Sequence, residues 1–175
     1  MSTLCIGWYM PKNNGIKVLF VFLIFGFFIF PVFAGEADIT LCELHEDIYF
    51  SCPLPGGKIV SVCASGNDKP SSGYVQYRYG APEKIEFVYP KEKLPPKGRF
   101  YVVNASEGSV NLDIIKFYNG KYTYFVAQAF VSFLTVLKDD KVVLRKSCEA
   151  GGYAFVSRAA SRGIEALPKS AEDFR

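Results

Sequence analysis

One stretch of the chain gathers side chains able to do acid–base or metal chemistry. Cys42-Glu43-Leu44-His45-Glu46-Asp47 places a thiol, an imidazole and three carboxylates within six residues. Such groups could ligate zinc or move a proton. The parts that either chemistry needs nearby are missing. His45 is the single histidine, there is no Cys-x-x-Cys pair, and no Gly-x-Ser-x-Gly turn offers a nucleophile. Gly56-Gly57-Lys58 lacks the spacing of a phosphate-binding loop. The acid pairs Asp139-Asp140 and Glu172-Asp173 fall in a predicted turn and in the tail. Asn104-Ala105-Ser106 is a formal glycosylation sequon, read here as chance. The acidic stretch is therefore read as a polar lead-in to the first strand. No metal, cofactor or catalytic residue is expected.

The cysteines are read as staples. Cys42, Cys52, Cys63 and Cys148 are an even set with spacings unsuited to a metal, and an even set in an exported chain makes disulfides. Ile48–Cys52 and Lys58–Cys63 read as a hairpin around Pro53-Leu54-Pro55-Gly56-Gly57. With Cys52 opposite Lys58, Cys63 faces Asp47, and Cys52 and Cys63 lie roughly 17 Å apart along the ladder at about 3.3 Å per residue. A disulfide tolerates a Cα separation of about 4.4–6.8 Å. Cys42, five residues before Asp47, can reach Cys63 by a short bend. The expected pairs are Cys42 with Cys63 and, by elimination, Cys52 with Cys148.

The other candidate site is a binding face. Eleven tyrosines crowd the chain, which β propensity and a core lined by large rings would explain. Alternation in Tyr74–Tyr79 puts Val75, Tyr77 and Tyr79 on one face and Gln76 and Arg78 on the other. Tyr74, Gln76 and Arg78 are the candidate partner-binding residues, an aromatic and Arg surface of the kind hot spots favour. Lys91-Glu92-Lys93-Leu94-Pro95-Pro96-Lys97 could form its rim.

The elements that must carry these residues are mostly strands. Further strands are expected at Glu83–Tyr89, Phe100–Asn104, Val110–Tyr118, Tyr122–Gln128, Val131–Leu137 and Val142–Lys146. Gly80-Ala81-Pro82 separates the first of them from the Tyr74 strand. Asn119-Gly120 suits a type I′ turn, and Asp139-Asp140 marks another. The fold class is mainly β, an antiparallel up-and-down barrel or two-layer sandwich. A helix is expected over about 154–167, where Val156, Ala159, Ala160, Gly163, Ile164 and Leu167 recur at helical spacing before Pro168. It would cap the end or edge of the sheet.

Residues 1–34 read as a signal peptide. Lys12 and Lys17 precede an apolar run from Val18 to Phe30, and Val32-Phe33-Ala34 resembles a cleavage site. Even extended to Phe33 the stretch carries Gly26 and Pro31 and falls short of the about 20 residues a spanning helix needs, so an uncleaved anchor is disfavoured. Met10 is an alternative start. Residues 35–175 would then form one domain. The whole chain holds 20 basic and 17 acidic residues. Losing Lys12 and Lys17 leaves the domain near neutrality, which excludes a nucleic-acid footprint and an electrostatic hold on membranes.

The Cys52 and Cys63 hairpin, Tyr74-Val-Gln-Tyr-Arg-Tyr-Gly-Ala-Pro82 and Lys84-Ile-Glu-Phe-Val-Tyr-Pro90 resemble a group of small exported bacterial proteins of unassigned function. The resemblance spans Cys42 to Pro90 plus Cys148, and implies a bacterial envelope setting, periplasmic or secreted. The tail after Cys148 departs from that pattern. A looser architectural likeness extends to periplasmic lysozyme inhibitors and to immunity proteins against wall-degrading toxins. The expected function is non-catalytic protein binding in the envelope, as an inhibitor or immunity protein. A structural or small-ligand-binding envelope component is the alternative, and an enzyme the third reading.

Overall fold

The computed structural model describes residues 39–175. The predicted signal peptide and cleavage site lie outside the described residues. Strands β1 Asp47–Leu54, β2 Lys58–Ser65, β3 Tyr74–Ala81 and β4 Lys84–Tyr89 form one antiparallel sheet in that order. Strands β5 Phe100–Asn104, β6 Asp113–Asn119, β7 Tyr122–Gln128, β8 Phe133–Lys138 and β9 Lys141–Ser147 form a second meander. A short β10, Glu165–Ala166, adds to it parallel to β5. Neither sheet closes on itself, so the architecture is a two-layer sandwich.

The layers are held together by rings. Tyr77, Phe87 and Tyr89 of the first sheet meet Phe100, Phe117 and Tyr124 of the second, with Tyr89 and Phe117 stacked at 4.5 Å between centroids and Tyr77 5.0 Å from Phe117. Alternation along β3 sends Tyr77 and Tyr79 inward, and the matching period in β6 and β7 supplies Phe117 and Tyr124. Much of the tyrosine surplus is thus core. Such ring pairs add about 0.5–1.5 kcal/mol each beyond the area they bury.

The outer faces are also covered, which is why β1 and β2 are buried almost throughout. Residues 39–46 lie over the first sheet. Ser51 Oγ donates to Ile39 O at 2.8 Å, Leu41 N–H donates to Ser61 Oγ at 3.0 Å, and Leu41 is buried. The C-terminal tail covers the second sheet. Leu167 packs against Val103, Ile114 and Phe125, and Lys116 donates to Glu172 and Asp173 at 2.9 and 2.7 Å.

Local expectations shift in four places. The first hairpin pairs Leu54 with Lys58, so its loop is Pro55-Gly56-Gly57, and a bulge near Tyr49 sets Cys63 opposite Ile48. Pro53 does not interrupt β1, because it pairs with Ile59 of β2 and Leu54 after it pairs with Lys58. The β6–β7 loop is Gly120-Lys121, with Asn119 already in the ladder and φ +61° at Gly120. That places glycine at the first central position, as type II′ requires. Type I′ geometry belongs instead to Asp139-Asp140, at φ +46° and +63°. β6 starts at Asp113 rather than Val110, and β8 at Phe133 rather than Val131.

The expected helix over about 154–167 shrinks to α1, Arg158–Gly163, capped by the Ser157 hydroxyl accepting from Ala160 N–H. Ile164 onward leaves the helix because β5 offers an open edge. Leu167 N–H donates to Val102 O, and strand geometry sends Ile164 to the interlayer core and Leu167 to the outer cluster. Three-residue spacing mimics a helix here while serving two faces of a strand. At the end of α1, a methyl group on Gly163 would collide with Asn67 Oδ1 and Tyr49 Oη, so only glycine allows this approach.

Candidate functional site

Tyr74, Gln76 and Arg78 come together, but as an internal cluster rather than an open face. Arg78 donates to Glu46 Oε2 and Oε1 at 2.6 and 2.7 Å, to Leu41 O at 2.9 Å and to Gln76 Oε1 at 2.8 Å. Tyr74 Oη donates to Glu46 Oε1 at 2.7 Å, and Gln76 Nε2 donates to Pro90 O and Lys91 O. Gln76 and Arg78 are each only 4% exposed. In this arrangement Gln76 and Arg78 present almost no surface, while Tyr74 stays half-buried. Alternation correctly turned them away from the interlayer core, but residues 39–46 roof the face onto which they point. Lys91, at the start of the predicted rim, contributes one carbonyl to the same cluster.

Burial alone would raise the Glu46 pKa. The hydrogen bonds from Arg78, the Glu43 N–H and Tyr74, with the Arg78 charge, hold it below the usual carboxylate range. Glu46 is thus committed to the fold and unavailable as a metal ligand. Cys42 and Cys63, near it, are bonded to each other. His45 stands in solvent 3.5 Å from Glu43.

Both disulfides join the expected partners. Cys42–Cys63 and Cys52–Cys148 each span 5.3 Å between Cα atoms. The first clips residues 39–46 onto β2. The second fixes the start of the segment that follows β9. That segment runs along the outer edge of β1, where Glu149 N–H donates to Pro53 O, Ser51 N–H to Tyr153 O and Ser157 N–H to Tyr49 O. The edge of β1 is therefore covered by the chain itself, a protection that sheet edges need.

Two features at this end of the molecule went unread in the sequence. The first is the β7–β8 loop, Ala129-Phe130-Val131-Ser132. Phe130 is fully exposed at 104%, and Val131 is half in solvent. The loop is clamped on both sides. Cys148 N–H donates to Ser132 O at 2.8 Å, Ser132 Oγ donates to Ala154 O at 2.6 Å, and Gln128 Oε1 accepts from Val156 N–H at 2.8 Å. The signal was available: Ala129-Phe130-Val131 is apolar where a turn needs polar or glycine residues.

The second is a groove of about 730 Å³ beside that segment, lined by Asp47, Asp113, Gln128, Tyr153, Phe155 and Arg158 among others. Tyr153 and Phe155 pair with centroids 3.7 Å apart and planes inclined at 35°. These residues are distant in sequence, and only the covering of β1 by 149–157 assembles them.

Comparison of the chain with protein-family models, with curated proteins and with solved structures gave no match. Function is therefore read from the chain's own geometry.

Proposed function

We propose that the protein is an exported, non-catalytic binding domain that docks a protein partner through the Phe130 loop, in the manner of a periplasmic inhibitor or immunity protein against a wall-active or toxic protein. The observation that carries this reading is Phe130 itself. A fully exposed phenylalanine forgoes about 1.5–3 kcal/mol that burial would supply. Here it sits on a loop held by hydrogen bonds to the segment that follows β9, whose start is anchored by Cys52–Cys148. A preorganised aromatic anchor loses little entropy when it enters a partner's pocket, and aromatic residues are enriched at interfaces.

Two disulfides fit folding in an oxidising compartment. Among the described residues no helix is long and apolar enough to cross a membrane. The export segment read in residues 1–34 and the resemblance of Cys42–Pro90 to small exported proteins support an envelope setting. The non-catalytic reading rests on the solvated His45 and on four cysteines held as disulfides. The groove favours small-ligand binding as a second reading.

The test uses the oxidised protein as bait in envelope extracts and culture supernatant, beside a Phe130→Ser bait of equal stability. A hydrolase or toxin retained stoichiometrically by the first and lost by the second is the expected result. Equal retention by both baits, or none by either, would count against the reading.

A further inference from the structure

The protein-partner reading makes no use of the free hydrogen-bonding groups in the groove. Among the described residues, the Asp47 carboxylate and the Arg158 guanidinium have no protein partner within hydrogen-bonding distance. Asp113 accepts one bond, from Asn104 Nδ2 at 2.8 Å, and keeps an oxygen free. Gln128 accepts from Val156 N–H through Oε1, which leaves its Nε2 donor for something else. The groove thus offers carboxylate acceptors at Asp47 and Asp113, donors at Arg158 and Gln128, and the Tyr153–Phe155 pair as an apolar surface. Its volume of about 730 Å³ lies within the roughly 300–1,000 Å³ of small-ligand sites.

Few ligand classes suit that combination. An anion would meet Asp47 and Asp113. A cation would be welcome at the carboxylates and the rings but would meet Arg158. A wholly apolar ligand would strand the free polar groups at a cost of about 1–3 kcal/mol for each one left unpaired. A sugar ring satisfies all three requirements, because each hydroxyl both donates and accepts while the axial C–H groups form an apolar face that stacks on aromatic rings. We propose that this groove binds a pyranose saccharide, with its hydroxyls bonded to Asp47, Asp113, Gln128 and Arg158 and a ring face against Tyr153 and Phe155. The site is separate from Phe130, and the saccharide could reach it free in solution or as part of a wall glycan.

The test is an amide-shift titration of the oxidised protein with two soluble probes, an N-acetylhexosamine oligosaccharide and a neutral hexose oligosaccharide. The expected result is saturable shifts at Asp47, Asp113, Gln128 and Tyr153–Arg158 with either probe, at Kd values tighter than about 10 mM. Response to the N-acetylated probe alone assigns the site to amino-sugar wall glycan, and response to both assigns it to the sugar ring in general. Phe155→Ala, at an exposed side chain, should weaken binding about tenfold, the equivalent of about 1.4 kcal/mol. Asp47→Asn should weaken it severalfold, with the thermal midpoint of each variant measured in parallel. Phe130→Ser should leave saccharide affinity unchanged, so failure of the partner reading and failure of this one are told apart. No shift with either probe at about 10 mM, or shifts away from the groove, would overturn the proposal.

Discussion

Glu46 gives up its water on folding and receives Arg78, Tyr74 and the Glu43 N–H in return. A carboxylate whose folded pKa lies below its unfolded value stabilises the fold at every pH above that unfolded value. The contribution is lost as pH falls through the folded pKa. The depressed Glu46 pKa therefore adds stability above about pH 4.5 and loses it in more acidic solution. Glu46→Gln removes the titrating group and leaves the Arg78 charge buried. Breaking such a pair costs about 3–5 kcal/mol. Urea unfolding should show that gap near neutral pH and show it narrowing as the wild type protonates below pH 4.5. Parallel curves across that range would mean that Glu46 is not the charged partner. The same residues show how far side-chain roles could be read from the sequence. The disulfides were legible because hairpin geometry limits reach. The burial of Gln76 and Arg78 was not, because their cover comes from residues 39–46, more than 25 positions upstream.

At the scale of elements, strand alternation was the most readable signal. β5 and β7 begin and end where their periodicity does, whereas β1 and β2, buried on both faces, carry little alternation to read. The C-terminal helix is shorter than its periodicity suggests because a six-residue helix and a strand divide one apolar pattern between them. The tail is instead docked by charge. Lys116, nearly fully buried, holds Glu172 and Asp173, and Asp173 in turn accepts from Ser170 N–H at 2.7 Å. Burial alone would lower the Lys116 pKa, and the two carboxylates reverse that and raise it. Its cationic form is therefore secure at any pH where the protein would work. Lys116→Met should leave Asp173 buried without its cation and release residues 164–175. Amide exchange at Leu167 and Asp173 should accelerate at least tenfold while the exchange of β6–β8 holds, as expected for a local opening. Unchanged protection at those two amides would show that apolar packing of Leu167 alone keeps the tail in place.

As a whole molecule, the sandwich covers its own vulnerable surfaces. Residues 39–46 roof one sheet, the C-terminal tail roofs the other, and residues 149–157 run along the edge of β1. Against that economy, a clamped loop that leaves Phe130 wholly in solvent stands out, and so does a groove with unused polar groups beside a ring pair. Both lie where the segment after Cys148 meets the β7–β8 loop, a meeting that no local pattern in the sequence announces. Our proposal is that Phe130 anchors a protein partner outside the cytoplasm. It is tested most directly by placing a photo-crosslinking phenylalanine analogue at position 130 in the exporting cell, with a control probe at Ile85 on β4. One discrete protein adduct from position 130 and none from position 85 is the expected result. No adduct from 130, or the same adducts from both positions, would contradict it.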